Sequence, residues 1–119
     1  MSKVLVERNA GAAAQFLDEH YKAAGATLVS KEELYSHSDV LFKVRPPTIG
    51  PEIDNLKKGS TLISLLYPVQ NKPIVDALAA GSAGLNVFAM DKIPRISRAQ
   101  VFDALRYIEL LASFNICLF

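Results

Sequence analysis

Apolar and polar positions fall into short alternating blocks along this chain. Residues 3–7 place Val4, Leu5 and Val6 between charged edges, which predicts a short buried strand. Comparable apolar or β-branched runs predict four more strands, at 27–29, 40–44, 62–66 and 87–90. Helix-favouring stretches separate them. The Ala-rich segment 10–24 predicts a helix with Gly25 as its stop. Ser30 and Glu33 have capping-box spacing and predict a short helix from that point. Pro46 and Pro47 end the third strand, and Pro51 suits the first turn of a helix that Gly59 closes. Pro68 breaks the fourth strand, after which Asn71 and Pro73 open a helix running to about residue 80. Pro94 and Ser97 precede a last helix from about residue 98.

Strands alternating with helices predict the α/β class, with one open, mostly parallel sheet and flanking helices, of the flavodoxin or Rossmann-like kind. No repeat, low-complexity tract or linker divides the chain. At 119 residues it has the length of a single domain with a real core. Thirteen basic against twelve acidic residues leave no electrostatic footprint for nucleic acid or an anionic membrane. The single cysteine, Cys117, excludes an internal disulfide framework, and His20 and His37 lack zinc-ligand spacing. Both histidines read as surface or cap residues. The apolar run at the N-terminus is too brief for a signal peptide.

One stretch breaks this regularity. Ten of the thirteen residues 107–119 are apolar, and only Glu109 is charged. The stretch is shorter than the roughly 20 apolar residues that a transmembrane helix needs.

Ligands of open α/β sheets bind beyond the carboxyl ends of the strands, so the loops that follow the strands are the places to search. Three carry unusual chemistry: 43–47, 67–71 and 91–100. In the third, Ser97 and Gln100 form an S-x-x-Q capping box, and Asp103 stands three residues before Arg106, so both pairs have a purely structural reading. The functional reading is that Arg95, Gln100 and Asp103 converge at one helix end. A cation, a carboxamide and an anion there would suit a planar polar ligand with hydroxyls and an amide. Lys43, at the end of a strand, reads either as a snorkelling charge or as a functional amine. After the first strand stand Arg8, Asn9, Ala10 and Gly11 in place of G-x-G-x-x-G, so no complete dinucleotide fingerprint is present.

The segment from Met90 through Asp91, Lys92, Ile93, Pro94, Arg95, Ile96, Ser97, Arg98, Ala99 and Gln100 to Asp103 closely resembles the N-terminal domain of proton-translocating NAD(P) transhydrogenase alpha subunits, the family shared with alanine dehydrogenase. The resemblance extends back through Tyr67, Pro68, Val69, Gln70 and Asn71 to Val4, Leu5, Val6 and Glu7, covering about residues 3–105. It implies hydride transfer between NAD(H) and NADP(H), coupled in the intact enzyme to proton movement across a bacterial or inner mitochondrial membrane. The part resembled is the NAD(H)-binding component. Carried over by position, Arg95, Gln100 and Asp103 contact the nicotinamide nucleotide. NADP(H) belongs to a partner component, no metal is involved, and the intact family is homodimeric. The alternative within the family is alanine dehydrogenase, whose substrate-binding lysine corresponds to Lys43. That enzyme has a catalytic histidine where this chain has Tyr67, and a phenol with an ordinary pKa near 10 is a poor proton shuttle at neutral pH.

Departures from the family pattern define two further expectations. A strand and helix that precede this segment in the family have no counterpart here, which predicts a sheet lacking its first strand, with unpaired backbone. The resemblance stops at Leu105, and Arg106 stands where the family has a serine of a Ser-Ser helix. The chain therefore divides into 1–105, a partial family domain, and 106–119, a divergent apolar tail. A third reading follows, that of a truncated, non-catalytic or interaction protein.

Overall fold

The computed structural model describes residues 3–81, 84–93 and 115–118. Six strands form one sheet. They are β1 (Val4–Glu7), β2 (Thr27–Val29), β3 (Val40–Lys43), β4 (Thr61–Ser64), β5 (Asn86–Ala89) and β6 (Asn115–Leu118), in the spatial order β2-β1-β6-β3-β4-β5. The α/β class stands: β1 pairs parallel with β2, β3 with β4, and β4 with β5. Each of these strands sits within one or two residues of its predicted place. The helices among them are α1 (Asp18–Ala23), α2 (Lys31–His37), α3 (Pro51–Asp54) and α4 (Lys72–Gly81).

The sixth strand is the departure. Asn115–Leu118 comes from the apolar tail and lies in the middle of the sheet, antiparallel to both neighbours. Cys117 is the Cα partner of Leu5 on one side and of Leu41 on the other. The unpaired backbone expected within the sheet is therefore not found between β1 and β3, because β6 bonds both edges.

The Ala-rich stretch 10–24 also differs from expectation. Only Asp18–Ala23 is α-helical, while Ala12–Ala14 makes a single 3-10 turn that Gln15 ends in the left-handed region at φ 62°. The chain is closely packed at this point. A Cβ on Gly11 would lie 2.8 Å from the Phe16 Cβ and would also collide with the Tyr21 hydroxyl, so the chain folds tightly back on itself here. Local packing has overridden alanine's helix propensity. The helix at Pro51 is likewise a single turn, closing at Asp54, and Gly59 at φ 77° turns the chain into β4.

Ser30 caps α2 as its spacing predicted, its Oγ accepting from Glu33 N–H at 3.3 Å. His20 caps α1, its Nδ1 accepting from the Leu17 N–H, and His37 is exposed at the end of α2. The core gathers Leu5 of β1, Leu41 of β3 and Leu62 of β4 against Leu34 and Tyr35 of α2, Ile53 of α3 and Leu78 of α4. No helix among the described residues is long and apolar enough to cross a membrane.

Leu62 pairs with Leu41 and Val87 in the ladders and is fully buried. Leu62→Ala is expected to cost about 2–5 kcal/mol, whereas Val69→Ala, at an exposed position, should stay within about 0.5 kcal/mol. Urea unfolding of both variants checks the contrast.

Candidate functional site

The carboxyl ends of β3, β4 and β5 lead into the first two loops and the described start of the third, residues 91–93, at one end of the sheet. Lys43 is the last residue of β3, and its side chain is only 10% exposed. It does not snorkel. Its Nζ donates to Glu52 Oε2 at 2.7 Å and to the Tyr35 hydroxyl at 2.9 Å. Glu52 lies on α3, which Pro51 starts, and that single turn is what brings the carboxylate back over the strand end. The same Oε2 accepts from Thr48 N–H at 2.7 Å, and Oε1 pairs with Lys31 of α2. One buried carboxylate thus ties together α2, β3, the first loop and α3.

Burial alone would push the Glu52 carboxyl upward. The hydrogen bonds from Lys31, Lys43 and Thr48 N–H outweigh it and hold the pKa down at about 2. Tyr35 moves the other way: burial first, then the Glu52 and Glu7 charges, raise its pKa, so it stays a neutral phenol. Lys31 is raised chiefly by its bond to Glu52. Chemically, this is a satisfied ionic cluster in which the Lys43 ammonium already has a counter-ion.

The second loop is held differently. Leu66 N–H and Tyr67 N–H both donate to Asp91 Oδ1, at 2.9 and 3.2 Å. Tyr67 adopts φ 47°, a left-handed conformation rare for an aromatic residue, and its ring is partly exposed. Its carbonyl accepts from Gln70 and Asn71 N–H. The carbonyl of Asn71 starts α4 by accepting from Ile74 and Val75 N–H, while its Nδ2 reaches back to the Leu66 carbonyl at 2.9 Å. Asp91 itself sits on a 3-10 turn, Met90–Lys92, directly after β5. The second loop is therefore pinned to the start of the third.

Arg95, Gln100 and Asp103 lie outside the described residues, as does the helix expected from residue 98. Lys43 is placed, but it faces Glu52 and Tyr35. Sequence reasoning missed Glu52 and the pinning role of Asp91. Glu52 had a findable signal, a carboxylate one residue after a helix-starting proline and nine after a strand-end lysine. Asp91 had only its place after a strand. Among the described residues no group of three or more His, Cys, Asp or Glu is placed to hold a metal ion.

Two tests follow from this geometry. A carboxyl lowered from 4.5 to about 2 on folding adds stability that is complete above pH 4.5 and disappears as pH falls through 2. The contribution is of the order of 3 kcal/mol. Glu52→Gln should be less stable at pH 7 and lose most of this acid limb, as urea unfolding at pH 7, 4 and 3 would record. Asp91→Ala leaves two backbone N–H groups without their acceptor and should cost about 1–3 kcal/mol, read by the same measurement at neutral pH.

Comparison with known proteins supplies the family. The family model described as alanine dehydrogenase/PNT, N-terminal domain, matches residues 2–112. NAD(P) transhydrogenase subunit alpha of Haemophilus influenzae is 43% identical over 112 residues, which is 94% of this chain and 21% of that protein. Alanine dehydrogenase of Mycolicibacterium smegmatis is 37% identical over 79 residues, 66% of this chain and 21% of that protein. Among solved structures, transhydrogenase from Sinorhizobium meliloti superposes with a TM-score of 0.78 at 36% identity, covering 91% of this chain and 31% of that one. The chain spans between about a fifth and a third of the length of the curated relatives it matches. With a sequence match over nearly its whole length and a fold that agrees, the chain belongs to the alanine dehydrogenase/PNT N-terminal domain family.

Proposed function

We propose that this chain represents part of the NAD(H)-binding component of an NAD(P) transhydrogenase, with Arg95, Gln100 and Asp103 as the residues that hold the nicotinamide nucleotide. The observation that carries this reading is the contrast in similarity: 43% identity across 94% of the chain to a transhydrogenase alpha subunit, against 37% across 66% to an alanine dehydrogenase. Tyr67, standing where alanine dehydrogenase uses a histidine, supports the same choice.

The described rim of the site is compatible with such a ligand. The exposed Tyr67 ring and Val69 give a planar, apolar-sided ligand something to rest against. Asp91 fixes the backbone that carries them. Gln100 would hydrogen-bond a carboxamide, Asp103 would accept from ribose hydroxyls, and Arg95 would orient that polar set. The nicotinamide cofactor supplies the hydride chemistry when bound. The protein's task is to orient it and exclude water. NADP(H), the remaining domains and subunits, a homodimeric assembly and a place at a bacterial or inner mitochondrial membrane complete the reading.

Lys43 would be the substrate-binding residue of the alternative, alanine dehydrogenase-like reading. Its engagement with Glu52 and Tyr35 supports a structural role instead.

Titration of NADH into the full chain, followed by its fluorescence, is the test. Saturable binding is expected, weakened about 5-fold by Gln100→Ala, the loss of one hydrogen bond's worth of free energy. Arg95→Ala and Asp103→Ala should weaken it as well, and alanine should not compete. No saturation up to roughly millimolar NADH, the range of weak ligand affinity, would count against cofactor binding by this chain.

A further inference from the structure

A cavity of about 570 Å³, open to solvent, lies in the half of the sheet away from the three loops. Its walls are Arg8, directly after β1, Asp18 and Lys22 of α1, and Ala26, Thr27 and Leu28, which lead into and along β2. That volume is in the range of small-molecule sites. Two cations and one anion leave the lining with an excess of positive charge. The anion does not neutralise its neighbour. Asp18 and Lys22 stand four residues apart on α1, a spacing at which opposite charges pair. On α4 the same spacing closes an ion pair of 2.9 Å between Lys72 and Asp76. On α1, Asp18 Oδ1 instead accepts from the Asn9 N–H at 2.9 Å, and Asn9 makes a left-handed turn at φ 61° just after Arg8. Among the described residues, neither the Lys22 ammonium nor the Arg8 guanidinium has a hydrogen-bond or ion-pair partner. Both cations therefore line the cavity without a counter-ion.

We propose that this cavity binds a small phosphate monoester whose carbon body carries a hydroxyl group. The Arg8 guanidinium offers a planar fork that matches two phosphate oxygens, and Lys22 supplies a compact charge beside it. Asp18 sets the selectivity. Its second oxygen is a negatively charged acceptor, which repels a bare anion but takes a hydroxyl of the ester. Thr27 adds a neutral hydroxyl, and the half-buried Ala26 and Leu28 give the carbon body an apolar wall. This inference does not depend on nucleotide binding. The loops proposed for the nicotinamide nucleotide leave β3, β4 and β5, whereas this cavity belongs to β1, α1 and β2.

The test titrates glycerol phosphate into the isotope-labelled full chain and follows the amide resonances. Saturable binding of roughly millimolar strength is expected, with shifts centred on Arg8, Asn9, Asp18, Lys22, Thr27 and Leu28. Arg8→Gln and Lys22→Gln should each weaken it at least about fivefold, the loss of one charge-assisted hydrogen bond. Both positions are exposed, so these variants should fold as the parent does. Lys58→Gln removes an exposed lysine outside the cavity and should leave binding unchanged. Inorganic phosphate should bind about threefold more weakly than the ester, the scale of one exposed charge interaction. Asp18→Asn should erase that preference, because its amide oxygen still accepts from Asn9 while the repulsion is gone. No saturation up to about 10 mM ester, a range well beyond weak ligand affinity, would overturn the proposal. So would an equal loss in Lys58→Gln, shifts centred elsewhere, or an unchanged preference in Asp18→Asn.

Discussion

The three-strand ladder β1-β6-β3 is the contact on which the rest of the sheet depends. Every other pairing is between strands joined by a helical crossover, and each of those ladders is closed within one half. Among the described strands, β6 alone is hydrogen-bonded to both halves. The core reflects this: Leu5 from one half and Leu41 and Leu62 from the other belong to a single cluster, with β6 lying between the strands that carry Leu5 and Leu41. A four-residue strand is a small element for this task. It suffices because it is bonded on both edges and lies where the sheet is covered on both faces.

At the carboxyl end the second organiser is electrostatic. Glu52 sits on a helix of one turn, too short to be stable by itself, and is held by three donors from three different segments. The desolvation of the buried charges offsets much of the attraction within such a cluster, and removing one partner strands a buried charge. Its value is positional. It fixes where the first loop leaves β3, just as Asp91 fixes where the second loop leaves β4. The family resemblance and the geometry meet here: the loops proposed to surround a nucleotide are the ones anchored by these two carboxylates.

Much of the fold was legible in the residues. Val4–Val6, Leu41–Phe42 and Leu62–Ile63 announce buried strands because parallel strands covered on both faces need unbroken apolar runs. Ser30 marks a helix start through capping chemistry that is local in sequence, and Asn71 with Pro73 marks another by residue type. What was not legible depends on distant contacts. The chain turns back at Gly11, close against Phe16 and Tyr21, a contact that no propensity encodes. The tail at 115–118 looks like a greasy ending until its partners on β1 and β3 are known, since four apolar residues carry no sign of which strands will flank them. At the site, Arg95, Gln100 and Asp103 were singled out by motif and lie outside the described residues. The Glu52 cluster was not, because Lys31, Lys43 and Glu52 meet only after two crossovers bring their elements together.

The double hydrogen bond from Leu66 and Tyr67 N–H to Asp91 has a mechanical meaning. It crosses from the end of one strand to the turn that follows its neighbour, and it fastens the left-handed Tyr67 at the bend. Two loops that are 24 residues apart in the chain are therefore a single lever, with Asp91 as its pivot. A force applied to either, by a ligand or by an approaching domain, is delivered to the other through one carboxylate oxygen.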